Sequence, residues 1–141
     1  MNTGSRHRAR ETAFQMLYQW EVGRAAPETA AADYLAIEQE GVQPLTPANR
    51  RFAEALVAGT VADVAEIDAL IGSHAKHWRI ERIAIVDRLI LRLAIFELLH
   101  VPDTPPSVVI DEAIELARTF SEEEAVRFVN GVLDAVYKSL P

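Results

Sequence analysis

An all-α fold is predicted from three observations. Apolar residues recur three and four positions apart along almost the whole chain. No stretch alternates polar and apolar side chains for long enough to read as a strand. Proline, glycine and hydroxyl residues stand where those apolar periods begin and end, which is where helices start and stop. The length of 141 residues, half of them hydrophobic and a quarter charged, suits one globular domain spanning 1–141.

The spacing predicts a first helix from about Ser5 to Val22, ending near Gly23, with Ala9, Ala13, Met16, Leu17 and Trp20 on one side. A second starts at Pro27 and stops at Gly41. Thr46 followed by Pro47 opens a third, whose apolar stripe runs from Phe52 to Ile71. One long helix and two short ones broken near Gly59 fit that stripe equally well. "SHAKHWRIER" reads as a connector. The segment 83–99 is apolar on nearly every side, yet it carries Asp87, Arg88, Arg92 and Glu97, charges that are costly within a bilayer. It therefore reads as a central helix surrounded by others, not as a membrane span.

"VPDTPP" ends that helix, because proline lacks an amide proton and restricts the residue before it. Residues 107–120 then place Val109, Ile110, Ala113, Leu116, Ala117 and Phe120 on one side and Asp111, Glu112, Glu115 and Arg118 on the other. Ser121 with Glu124 has the pattern of a capping box opening the last helix, 122–139. Gly131 interrupts that helix at a cost of about 1 kcal/mol relative to alanine, which predicts the close approach of another helix there.

The formal charge is −7, yet residues 1–10 hold three arginines and no acid. Cations near a helix start oppose the helix dipole, so a solvated helix start explains them poorly. On the first helix Phe14 and Tyr18 project about 120° and 160° from the centre of the apolar stripe, and His7 and Arg10 point the same way. For Phe14 a covering second element and an exposed binding ring both fit; a partner surface is the reading for Tyr18. Guanidinium groups beside aromatic rings suit single-stranded nucleic acid, because phosphate pairs with the cation and bases stack on the ring. On the last helix Arg127 faces outward beside Phe128, a second basic and aromatic pair.

Catalytic patterns are lacking. No glycine-rich phosphate loop or nucleophile motif is present. His74 and His77 in "HAKH" have no third ligand at suitable spacing, so no metal and no cofactor is expected. The chain has no cysteine, and its polar, arginine-bearing start lacks the apolar core of a secretory signal. A cytoplasmic protein that binds rather than catalyses is the expectation.

In order along the chain, "RHRARETAFQMLYQWE", "FAEALVAGTVADVAEID", "VDRLILRLAIFEL", "PSVVIDEAIELARTF" and "RFVNGVLD" resemble the successive signatures of the NusB family of bacterial transcription antitermination factors. The resemblance implies about seven helices in two small bundles. It implies binding of boxA RNA of ribosomal RNA leader transcripts together with the ribosomal protein NusE, within the antitermination complex of RNA polymerase. It assigns Arg6, His7, Arg8, Arg10, Arg127 and Phe128 to RNA, and Tyr18, Glu81 and Asp87 to NusE. The acidic total implies weak RNA binding by the chain alone, strengthened by NusE. Two other classes stay open: a helical adaptor that binds protein without RNA, and the RNA-binding module of a ribosomal RNA methyltransferase. A homodimer through the outward apolar faces stays open as well.

Overall fold

The periods of three and four residues become six α-helices among the described residues of a computed structural model, which are 3–23, 44–75 and 79–141. They are α1 (Thr3–Gly23), α2 (Pro47–Ala62), α3 (Val64–His74), α4 (Ile85–His100), α5 (Pro106–Phe120) and α6 (Glu123–Ser139), with a single 3₁₀ turn at Ile80–Arg82. The described residues contain no strand. The helix expected from Pro27 to Gly41 lies outside them, as does His77. The chain divides into two compact units, Met1–Val61 and Ala62–Pro141, in keeping with the two bundles that the resemblance implies.

In the first unit, α1 buries Ala9, Ala13, Met16 and Leu17, as its stripe predicts. It also buries Arg10, Thr12 and Phe14, so its covered arc widens to about 200° at 100° per residue. A helix covered on more than one side hides residues that an amphipathic reading leaves outside. The start of α2 follows its signal: Pro47 occupies the first helical position, and the Thr46 hydroxyl accepts a hydrogen bond from the Asn49 amide at 3.2 Å.

The long apolar stripe from Phe52 to Ile71 is two helices, and the break falls at Asp63 rather than near Gly59. One glycine in a helix costs only about 1 kcal/mol, and α2 runs through it. Asp63 leaves helical geometry at φ −101° and ψ 13°, and its carbonyl accepts the amide of Ile67 to start α3.

In the second unit α4 is the centre, packing against α3, α5 and α6. Its residues 89–95 are all buried, including Arg92. That arginine meets the Asp68 carboxylate of α3 through two hydrogen bonds of 2.8 Å each, from Nε to Oδ1 and from Nη2 to Oδ2. A fork of this kind compensates the desolvation of a buried cation. Arg92 of the 83–99 segment thus serves the core, and no helix of the described residues is long and apolar enough to cross a membrane.

Two local expectations on α6 need correction. The capping box does not form: the helix begins one residue later with Glu122 as its cap, and no side chain caps it. The Ser121 hydroxyl instead donates to Asp87 Oδ1 at 2.7 Å, a charge-assisted bond that orients it toward α4. Gly131 is exposed, and a Cβ built there would meet nothing within 4 Å. No helix approaches it among the described residues.

Candidate nucleic-acid interface

Arg6 and Arg10 lie one helical turn apart on the same side of α1, and both reach the ring of Phe52 on α2. The Arg6 guanidinium carbon stands 3.9 Å from the ring centroid and that of Arg10 stands 5.2 Å away. Their exposures differ: Arg6 is exposed, while Arg10 is 5% exposed. Arg10 thus corrects the expectation that all three opening arginines display free guanidinium groups. On the helical wheel it falls within the widened covered arc, so its stem and head pack inward along Phe52. Arg8 is half-buried. His7 is half-exposed and faces Glu11, with Nε2 3.7 Å from Oε1.

Two arginines of α2 add positive charge to this unit, and sequence reasoning missed them. Arg50 and Arg51 are both exposed. Arg50 pairs with Glu54 at 3.6 Å, and Arg51 forms no ion pair among the described residues. The signal is present in "NRRF", two arginines immediately before an aromatic, but Phe52 also fits the core stripe and reads as part of it.

Phe14 is buried at 3% exposure, so of the two off-stripe aromatics only Tyr18, 40% exposed, presents a surface. Val22, one turn further along α1, is 55% exposed and extends that surface. Glu81 stands exposed in the 3₁₀ turn.

The remaining predicted residues belong to the second unit. Asp87 lies in the first turn of α4, where a carboxylate favours the helix dipole. Its oxygen takes the Ser121 hydroxyl, and Arg92 is committed to Asp68, so Asp87 and Arg92 do not form an internal pair. Asp87 and Phe128 line one groove of about 780 Å³ at the starts of α4 and α6. A residue that the resemblance assigns to protein and one that it assigns to RNA are therefore neighbours. The groove wall also carries Arg82, Glu122 and Glu124, with Phe120 and Ile83 as apolar surface. Arg127 is exposed.

His74 spends its Nδ1 proton on the Leu70 carbonyl at 2.9 Å. A different group has the chemistry of metal ligands: atoms of Asp63, Glu66 and His100 lie within 4.8 Å of one another. His100 Nε2 stands 2.6 Å from Asp63 Oδ2, and the His100 ring packs on Phe96 with centroids 5.0 Å apart. A hydrogen bond between histidine and carboxylate accounts for that approach. It also explains why Asp63 does not cap α3 with its side chain.

A small all-helical factor with an arginine-rich edge on its first helix is the class that this arrangement defines. The NusB family profile matches residues 7–138. The chain is 47% identical over 137 residues to the transcription antitermination protein NusB of Solibacter usitatus, covering 97% of this chain and 91% of that one. It is 43% identical over 139 residues to the NusB of Symbiobacterium thermophilum, covering 96% and 91%. Among solved structures, T. maritima NusB superposes with a TM-score of 0.84 at 34% identity, covering 95% of this chain and 91% of that one. A structure of the antitermination factors NusB and NusE in complex with dsRNA superposes with a TM-score of 0.86 at 30% identity, covering 98% and 99%. The chain belongs to the NusB family.

Proposed function

We propose that this chain is a cytoplasmic transcription antitermination factor that binds boxA RNA of ribosomal RNA leader transcripts together with NusE, and so supports processive elongation by RNA polymerase. The whole chain acts as one RNA-binding domain. Its role is recognition, without catalysis or cofactor. The observation that carries the reading is the layout of α1. Exposed Arg6 stands near one end and exposed Tyr18 twelve residues on, roughly 18 Å along the axis at 1.5 Å per residue. One helix thereby offers a cation to phosphate and an aromatic to a protein partner.

Electrostatics explain why two ligands serve better than one. A chain of charge −7 repels phosphate at a distance, while its arginine-rich edge attracts it nearby. A basic ribosomal protein bound beside the RNA reduces that repulsion. Arg6, His7, Arg8, Arg127 and Phe128 form the RNA side of this reading, with Arg10 buried against Phe52 behind Arg6, and Tyr18, Glu81 and Asp87 the NusE side.

The test is the affinity for boxA RNA measured with and without saturating NusE, and the affinity for NusE with and without RNA. Coupling of about 1–3 kcal/mol is expected, a 5- to 150-fold gain, and linkage requires it to be equal in both directions. Competition, or no gain, refutes the two-ligand reading. Binding of NusE with no RNA binding would identify a protein adaptor. Tyr18→Ala is expected to weaken NusE and the assisted RNA binding, and to leave the weak binding of RNA alone nearly intact.

A further inference from the structure

We propose that Phe52 is a positioning residue for RNA contact: its ring holds the Arg6 guanidinium, with its charge uncompensated, where single-stranded RNA meets α1. The proposal rests on the RNA-binding reading of Arg6. Its starting observation is the 3.9 Å approach of the Arg6 guanidinium carbon to the Phe52 ring centroid, made while Arg6 itself remains exposed.

The way in which a cation is held decides what it can still do. Two other basic side chains of this unit face carboxylates instead: Glu11 stands 3.7 Å from His7 and Glu54 3.6 Å from Arg50. A carboxylate occupies the N–H donors and cancels the charge that phosphate needs. An aromatic ring uses only one face of the guanidinium plane. The five N–H donors at its edge stay available to phosphate, and its opposite face stays available to a stacked base. Arg6 forms no ion pair among the described residues, so the ring orders it without neutralising it.

Arg10 supports the same reading from the other side. It lies 5.2 Å from the same ring centroid and is buried, so it fills space beside the ring while Arg6 stays open. An arginine free to rotate would lose much side-chain entropy on meeting RNA; one already resting on a ring loses less. Phe52 thus contributes to affinity without needing to touch the nucleic acid.

The experiment is a double-mutant cycle with boxA RNA as the probe, with thermal melting to confirm that each variant is folded at the assay temperature. Phe52→Leu keeps an apolar filler and removes the ring; it is expected to weaken RNA binding about 2- to 5-fold, the size of an exposed cation–π interaction. Phe52→Tyr keeps the ring and is expected to retain the parent affinity. In an Arg6→Ala background Phe52→Leu is expected to have little further effect, because the group it positions is gone. The salt slope of Phe52→Leu should fall toward that of Arg6→Ala, a change that a general loss of stability does not produce. Phe52→Met, a flexible filler, replaces Phe52→Leu if the latter melts too early. If Phe52→Leu leaves affinity unchanged, or weakens it equally in both backgrounds, the positioning role is overturned while the RNA reading stands. If Arg6→Ala itself leaves affinity unchanged, the RNA reading of this residue fails first.

Discussion

The first turn of α1 holds Arg6 and no acidic residue, against the helix dipole, whereas the starts of α4 and α6 carry Asp87, Glu123 and Glu124 in the favourable position. Both regions are strongly charged, and they differ in what the charge does for its own helix. Glu123 and Glu124 stabilise α6 locally, and Asp87 also takes the Ser121 hydroxyl. The arginines gain nothing from their helix end, and Arg6 rests on an aromatic ring instead of an acid. Charge that stabilises its own helix needs no ligand to explain it. Arg6, placed against its helix dipole and held by a ring rather than an acid, keeps a charge that a phosphate backbone can answer.

Damage confined to one region tests that contrast most forcefully. Asp68→Ala removes both 2.8 Å hydrogen bonds of the fork on the buried Arg92 guanidinium in the second unit. A loss of about 3 kcal/mol is expected, at the lower end for a broken buried pair because Asp68 is partly exposed. Urea denaturation measures it, and boxA affinity per folded molecule should not change. If affinity falls with stability, the arginine edge depends on the second unit's core.

The arginine edge is tested by charge removal. Arg6→Ala combined with Arg8→Ala should lower the salt slope of RNA binding by about 1.4, or about 0.7 for each phosphate that is no longer neutralised, with melting nearly unchanged. Arg10→Ala should instead destabilise the fold by about 1 kcal/mol, because its packing against Phe52 is buried. Equal behaviour of Arg6 and Arg10 would erase the distinction drawn from their burial.

Asp87→Asn removes the carboxylate charge in the groove while keeping an oxygen for Ser121. NusE affinity is expected to fall about tenfold, the size of one charge-assisted hydrogen bond, with little change in melting. A large loss of stability with unchanged NusE binding would make Asp87 a structural residue like Glu123. The smallest effect is expected at Gly131, where alanine meets open space and should raise stability by about 0.5–1 kcal/mol. Gly131 points between Arg127 and Phe128 at 100° per residue. A gain in stability coupled to weaker boxA binding would bring that face of α6 into the RNA surface.

Much of the fold was legible because it is written in local signals. Thr46 and Pro47 open α2, "VPDTPP" separates α4 from α5, and the buried runs of α4, α5 and α6 follow their apolar spacing. The outward Tyr18 was legible for the same reason: it points farthest from the apolar stripe of its own helix. Ser121 misled, because a capping pattern describes only what the residue can do within its own helix, and its hydroxyl is turned to Asp87 of α4.

The sequence by itself determined that the chain is helical, where most helices begin and end, and that positive charge gathers at the start of an acidic protein, since these depend on residues within a turn or two of one another. The tertiary structure alone decided which of those charges stay open. Arg6 and Arg10 are the same residue type on the same helix side, yet one is exposed and the other buried. The ring of Phe52, more than forty positions along the chain, meets both. The break at Asp63 likewise goes with His100, which draws its carboxylate away from capping α3. Helix geometry sets a side chain's direction within one turn, but its burial and its partner depend on which distant segment packs there, a pairing that no local spacing encodes.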